Sequence, residues 1–354
     1  MTQRSDCLSN DFNWEDCGNV STKSNRSQTT QRTRTRGIGI VVVSTKRRRL
    51  LGFLGTTLFI LGLLGYTGLY IESQKIEASR VTLPFVGLTP VPVDVGDVLP
   101  PELTAVAGIV IDYDSGSVLF EKNANTYYPP ASTTKLITAL VVLDVYSPES
   151  ELTIGEIPPV SGSVLGIRSG EVYRVQDLLD ALLITSANDV ALAFATAYPG
   201  GSTVFVEDMN KKAAALGLQD SVFSNPAGFD FGMHHSTAID LAKIARAAWE
   251  APALRTAMST RHKLITDRAG NKRHELVSTN MLLHEDNSVL GGKTGTTEKA
   301  GEVLILLENR LGHTILAVVL GSTDRYSDTT ALIDWLYENY TWLQPTPPHL
   351  PKAE

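Results

Sequence analysis

Between Leu50 and Ile71 the chain runs for 22 residues, LLGFLGTTLFILGLLGYTGLYI, without a charge. A helix of that length spans the roughly 30 Å of a bilayer's hydrocarbon core. Lys46-Arg47-Arg48-Arg49 abuts the run, and Tyr66 and Tyr70 lie near its far end. The positive-inside rule then places residues 1–49 in the cytoplasm and everything after about residue 72 outside. A cleaved signal peptide with a long basic n-region is the alternative. The run is longer than a typical h-region and no Ala-x-Ala site follows it closely, which favours an uncleaved, single-pass anchor. A buried soluble helix fits poorly, because four basic residues sit directly against it.

The anchor divides the chain's charge. Residues 1–49 hold ten Lys/Arg against four Asp/Glu, a net of +6, whereas the whole protein carries −7. A basic tail on an acidic body can signal nucleic-acid binding, but the topology of a membrane anchor accounts for it, and no nucleic-acid partner is expected. Residues 1–36 are polar and read as disordered. The only cysteines, Cys7 and Cys17, fall in this tail, so the exported part is expected to fold without disulfides. Residues 72–103 are proline-containing and without period, and read as an extended stalk. A folded domain is expected over 104–343, with a loose tail over 344–354.

Within that domain three short motifs carry chemistry: Ser132-Thr133-Thr134-Lys135, Ser186-Ala187-Asn188 and Lys293-Thr294-Gly295. Each alone is weak, since a serine can simply cap a helix and a glycine-rich segment can simply turn. A serine hydroxyl needs a base within hydrogen-bond reach to act as a nucleophile. Residues i and i+3 of a helix share a face, so Lys135 can serve Ser132 without histidine. Pro129-Pro130 suits a helix start, and the apolar stretch Leu136–Leu143 predicts a buried central helix. Ser186 and Asn188 fall on a short connection between two apolar helices, where Ser186 can relay a proton and Asn188 can bind a substrate amide. Lys293 can supply positive charge to a substrate carboxylate and lower the pKa of Lys135. Gly295 permits close backbone approach, and the backbone N–H groups of Ser132 and Thr296 can form an oxyanion hole.

Strands are expected at 107–112 and 116–121, joined by a turn at Asp114-Ser115-Gly116, and again at 301–307 and 314–321. A mostly helical stretch from Ser132 to about Trp249 separates them, and a last helix covers about Asp328 to Trp342. Strands at both ends with helices between predict an α+β fold: one antiparallel sheet packed with helices, plus a mostly helical lobe.

Over about residues 105–340 the chain resembles the D-alanyl-D-alanine carboxypeptidase family of low-molecular-mass penicillin-binding proteins, within the serine β-lactamase/transpeptidase-like superfamily. Tyr128-Pro129-Pro130-Ala131-Ser132-Thr133-Thr134-Lys135 is similar to its nucleophile segment. Val175-Gln176-Asp177-Leu178-Leu179 through Asp189 is similar to its second motif. Asn225-Pro226-Ala227-Gly228-Phe229, His235-Ser236-Thr237-Ala238 and Asp240-Leu241-Ala242 also resemble family segments, and read as structural. The resemblance implies that Ser132 attacks the bond between the two terminal D-alanines of a peptidoglycan stem peptide while Lys135 takes its proton. D-alanine then leaves, protonated through Ser186, and water releases the acyl-enzyme. Asn188, Lys293, Thr294, Gly295 and Thr296 would bind substrate, and β-lactams would acylate Ser132. No cofactor and no metal are implied; the adjacent His234 and His235 do not share a helix face.

Two departures stand out. Thr296-Thr297 after the third motif looks more like the transpeptidase version, which leaves carboxypeptidase, endopeptidase and transpeptidase action less cleanly separated. The expected anchor is N-terminal, and no extra C-terminal β-rich domain is expected after residue 343. The arginine that would meet the substrate carboxylate has no mark in the sequence. A serine β-lactamase shares the motifs, but class A enzymes add a glutamate after the second one, and no Glu lies between Glu207 and Glu250. A β-lactam or peptidoglycan sensor is the non-enzymatic alternative, opposed by the intact motif residues.

Overall fold

The computed structural model describes residues 61–62 and 89–344. The basic tail, the apolar run 50–71 apart from Leu61 and Gly62, residues 72–88 and 345–354 lie outside the described residues. Among the described residues, no helix is long and apolar enough to cross a membrane.

In chain order, β1 (Val91–Asp94), β2 (Ala107–Asp112) and β3 (Val118–Lys122) lead to helix α1 (Lys135–Val145). A small ribbon, β4 (Glu151–Thr153) and β5 (Val172–Arg174), precedes α2 (Val175–Ile184), α3 (Asn188–Ala197), α4 (Gly201–Ala215), α5 (Ala238–Glu250) and α6 (Pro252–Met258). A second ribbon, β6 (His262–Thr266) and β7 (Arg273–Val277), and the short α7 (Met281–Glu285) follow. The chain closes with β8 (Val289–Thr297), β9 (Gly301–Arg310), β10 (His313–Ser322), α8 (Arg325–Asn339) and β11 (Tyr340–Leu343). The central sheet is antiparallel with order β3-β2-β10-β9-β8, so the α+β expectation holds.

The near-continuous apolar runs of β9 and β10 follow from burial on both sheet faces. Side chains alternate along a strand. Ile109, Val303, Ile305, Leu316 and Val318 therefore join the helical lobe's core, while Val110, Leu304, Leu306, Ala317 and Val319 face Leu332, Ile333 and Leu336 of α8. Helix α1 is buried along its first two turns, from Lys135 through Val142. Ile137, Thr138, Val141 and Val142 are β-branched and poor helix formers. Fully burying each apolar side chain contributes about 1.5–3 kcal/mol, which outweighs propensity differences of a few tenths.

The folded unit starts earlier than residue 104. β1 pairs antiparallel with β11, Val91 opposite Leu343. The amides of Val95 and Gly96 donate to Asn339 O (2.8 and 3.1 Å), and Trp335 Nε1 donates to Val98 O (2.7 Å). The C-terminal part of the expected stalk is thus pinned onto α8, through backbone pairing that leaves little trace in side-chain pattern. The last helix also ends at Asn339 rather than Trp342, because residues 340–343 are the partner strand of β1.

Candidate active site

Ser132 does not sit in the helix itself. Pro129-Pro130 leads into a 3₁₀ turn, Ala131–Thr134, and α1 begins at Lys135. Residues i and i+3 eclipse in 3₁₀ geometry, which brings Lys135 Nζ to 2.9 Å from Ser132 Oγ. The turn is tight: Ala131 has φ +49°. Two glycines press against it. A Cβ on Gly228, at φ +92°, would lie 1.9 Å from Ala131 O, and one on Gly295 would lie 3.0 Å from the Ser132 amide nitrogen.

Lys135 is completely buried, yet among the described residues no carboxylate pairs with it. Besides Ser132, its Nζ reaches Asn188 Oδ1 (2.8 Å) and Ala227 O (2.7 Å). Burial pushes its pKa well below the ordinary lysine value, and the charge of Lys293 pushes it the same way. A neutral amine has two N–H groups and one lone pair. With the two N–H groups held by Asn188 and Ala227, the lone pair is left facing the Ser132 hydroxyl. That is the geometry of a general base.

The second motif closes this arrangement. Ser186 has a left-handed backbone, φ +61°, between α2 and α3. Its Oγ accepts from Lys293 Nζ (3.0 Å), which also donates to Thr294 O (2.8 Å). Burial lowers the Lys293 pKa to about 7, with the Arg325 charge adding to the effect. Asn188 Nδ2 donates to Ser161 O (2.9 Å) and its amide to Ser163 O (2.7 Å). The Asn188 carboxamide, expected to bind substrate, is therefore engaged on both sides by Lys135 and the loop 154–171. That loop is held by the next residue: the Asp189 carboxylate accepts from the amides of Leu165 (2.9 Å), Gly166 (2.7 Å) and Ile167 (3.3 Å).

The third motif lies on β8, the edge strand of the sheet, rather than on a turn. An edge strand leaves one row of backbone groups unpaired by the sheet, and here that edge borders a cleft of about 280 Å³ lined by Ser132, Ser186, Asn188, Thr294, Thr296 and Arg325, among others. Ser132 and Thr296, the expected oxyanion pair, thus share one cleft. Arg325, the first residue of α8, also lines this cleft; the sequence expectations include an arginine for the substrate carboxylate but do not place it. Its Nε donates to Glu302 (3.2 Å), Nη1 to Gly295 O (2.8 Å) and Val303 O (3.1 Å), and Nη2 to Thr296 Oγ1 (2.7 Å). A guanidinium has five N–H donors, so one on Nη2 remains for a ligand in the cleft.

The segments read as structural brace the Ser132 turn and Lys135 from below. Asn225 Oδ1 accepts from the amides of Gly228 (2.8 Å) and Phe229 (3.0 Å), which fixes the Ala227 carbonyl. His234 Nδ1 accepts from the Ser224 amide (3.0 Å), so its proton is on Nε2, 2.8 Å from Thr134 Oγ1. Burial holds the His234 pKa down at about 4, which keeps that tautomer neutral. Among the described residues, no cluster of three or more His, Cys, Asp or Glu is placed to hold a metal ion.

A serine, a buried lysine three residues on within hydrogen-bond reach, and a second lysine on the edge strand of an α+β fold match the motif set of the penicillin-interacting serine acyltransferase class. The chain belongs to the D-alanyl-D-alanine carboxypeptidase family, whose sequence profile matches residues 95–324. It is 30% identical over 245 residues to the D-alanyl-D-alanine carboxypeptidase DacF of Bacillus subtilis, covering 67% of this chain and 63% of that protein. It is 33% identical over 243 residues to a D-alanyl-D-alanine endopeptidase of Pseudomonas aeruginosa, covering 66% and 78%. The crystal structure of the Streptomyces K15 DD-transpeptidase matches with a TM-score of 0.63 at 29% identity, over 68% of this chain and all of that one. Arg325 was invisible to motif reading; Ala227 and Gly228 lay in a segment read as structural, but their contacts with Lys135 and the Ser132 turn were not legible there. The arginine is brought in by the fold, and a backbone carbonyl carries no residue identity.

Proposed function

We propose that the protein is a serine DD-carboxypeptidase that removes the terminal D-alanine from peptidoglycan stem peptides. The observation that carries this reading is the Lys135–Ser132 contact, with the other two positions around Nζ filled by fixed acceptors. Ser132 Oγ attacks the carbonyl carbon of the penultimate D-alanine as its proton passes to Lys135 Nζ. The oxyanion is received by the N–H groups of Ser132 and Thr296. The C–N bond breaks, and the departing amine takes the proton that Lys135 received, handed on through the Ser186 hydroxyl that Lys293 holds, so that Lys135 is neutral again. Water then attacks the acyl carbon, with Lys135 again as base, and Ser132 is regenerated. β-Lactams, which present a strained amide to the same serine, would acylate it and be released slowly.

The free N–H of Arg325 favours a substrate that ends in a carboxylate within the cleft, and hence carboxypeptidase over endopeptidase action. The endopeptidase relative and Thr296-Thr297 support endopeptidase or transpeptidase action as the second reading. The uncharged run 50–71 and the basic residues before it support a single-pass membrane protein with its catalytic domain extracytoplasmic. The test is release of free D-alanine from a peptide ending in D-Ala-D-Ala by the full-length protein, with Ser132→Ala as control. Release that the variant abolishes is expected. A penicillin-acylated protein that releases none would instead be an endopeptidase, a transpeptidase or a sensor.

A further inference from the structure

At the end of the cleft bordered by Arg325, three threonine hydroxyls converge from different parts of the chain. Thr294 and Thr296 come from β8, and Thr279 comes from the connection between β7 and α7. Thr296 Oγ1 accepts from Arg325 Nη2, so its own proton is free to point at a ligand. Thr279 Oγ1 and Thr294 Oγ1 lie 2.6 Å apart. Whichever of the two donates, one hydroxyl proton is used between them and the other is left over. Thr294 is buried whereas Thr279 is exposed to the cleft, so the pair presents its spare proton where a ligand can meet it.

Thr279 is also held in place beyond the needs of a loop residue. Its amide donates to Ile184 O (3.1 Å), the last residue of α2 and two before Ser186. Its carbonyl accepts from Tyr326 Oη (2.9 Å), which in turn accepts from the Met281 amide (3.3 Å). The Tyr326 ring lies under the Arg325 guanidinium, 5.6 Å from centroid to Cζ. One tyrosine therefore fixes both Thr279 and Arg325, residues 46 apart in sequence.

We propose that Thr279 is a substrate-binding residue: with Thr294 it donates a hydrogen bond to one oxygen of the substrate's terminal carboxylate, while Arg325 and Thr296 serve the other. Tyr326 is the positioning residue that sets the spacing between these two donor groups. The proposal deepens the carboxypeptidase reading and rests on it. A carboxylate has two oxygens with several acceptor sites, and charge-assisted hydrogen bonds to it are about twice as strong as neutral ones. Donors on both sides of a fixed frame match it, where a neutral ester or amide would leave them unpaired.

The test uses an acylated D-alanyl thiolactate, whose leaving group ends in a carboxylate, beside its methyl ester. Thiol release by the full-length protein reads both substrates. Thr279→Val, which keeps shape and removes the hydroxyl, is expected to lower kcat/KM for the carboxylate substrate by about 10-fold or more, mainly through KM. The same variant should change the methyl ester by less than about two-fold, because that ester offers no charged oxygen. Thr279→Ser is expected to restore the preference. Tyr326→Phe keeps the ring and removes the bond to Thr279 O, and should lose the same preference to a smaller degree. Equal losses on both substrates would make Thr279 a structural partner of Thr294 and overturn the proposal, as would no loss on either. Should Thr279→Val fold poorly, the Tyr326→Phe ratio decides alone. A wild-type protein that showed no preference for the carboxylate would sink the underlying carboxypeptidase reading, an outcome separate from an unselective Thr279 variant.

Discussion

Two buried lysines about one serine set the pH behaviour of the site. The ascending limb of kcat/KM should report Lys135 losing its proton, since only the neutral amine can accept one from Ser132. The descending limb should report Lys293, whose pKa is pulled down to about 7 first by burial and then by Arg325. Replacing Arg325 with Leu removes the second cause, so the Lys293 pKa rises and the descending limb moves to higher pH, even as carboxylate binding weakens. A limb that stayed in place would mean that Lys293 does not govern it. Gly228 offers a steric test. Its left-handed backbone, and the 1.9 Å that would separate a Cβ at this position from Ala131 O, leave no room for alanine. Gly228→Ala should slow penicillin acylation of Ser132 by about 100-fold, the usual effect of displacing a reacting group by an ångström. Wild-type acylation kinetics would show that the turn tolerates the shift. Ser132, Lys135, Ser186 and Lys293 were legible in sequence because their residue types announce their chemistry and Ser132–Lys135 spacing is local. Arg325 was not, because its place is set by α8 docking 32 residues beyond Lys293, and the sequence alone does not distinguish it from any surface arginine.

Among elements, legibility followed burial. The strands expected at 107–112, 301–307 and 314–321 were readable because a sheet covered on both faces forces near-continuous apolar runs; the last two extend to Arg310 and over His313–Ser322, where the residues beyond the apolar run are mostly polar. The ribbon β6–β7 was not: apart from Ile265 and Leu276 its residues are at least partly exposed, so the pattern is mostly polar. The 3₁₀ turn under Ser132 was likewise read as helix, since the i,i+3 spacing serves both. The loop 154–171 shows how an element without regular structure is fixed by one side chain. Asp189 offers both carboxylate oxygens to backbone amides at 165–167. In Asp189→Asn an NH₂ group must face one set of these donors, leaving buried groups unpaired at a cost of about 1–3 kcal/mol. The loop should then release Asn188, and through it Lys135. Faster hydrogen exchange at Leu165, Gly166 and Ile167 together with slower Ser132 acylation is the expected pair of results. Slower acylation without faster exchange would place the role of Asp189 elsewhere.

For the domain as a whole, the site is a burden on folding. A lysine with an ordinary pKa of 10.5 becomes, at Lys293, a buried group with a pKa of about 7. Below pH 7 it is charged in both folded and unfolded chains, and the full penalty of burying that charge opposes folding. Between pH 7 and 10.5 the folded chain has shed the proton and the unfolded chain has not. The unfolded state then binds more protons, so stability rises with pH across this window. At about 1.4 kcal/mol per pKa unit the penalty is at most roughly 5 kcal/mol, comparable with the whole net stability of many domains. Lys293→Met removes it and loses the bonds to Ser186 and Thr294 O, worth about 1 kcal/mol each. The variant should therefore be inactive yet melt several degrees above the wild type at about pH 6, with about 2–4 °C expected per kcal/mol for a domain of this size. By about pH 10 the advantage should shrink to nothing or reverse, because the wild-type lysine is then neutral. Calorimetry across that range gives the answer in the sign of the slope. An advantage that grew with pH would show that Lys293 keeps its charge in the fold, held by contacts that offset its burial. A shrinking advantage would show that catalytic poise costs stability, as expected when function places two amines where the core would favour methionine or leucine.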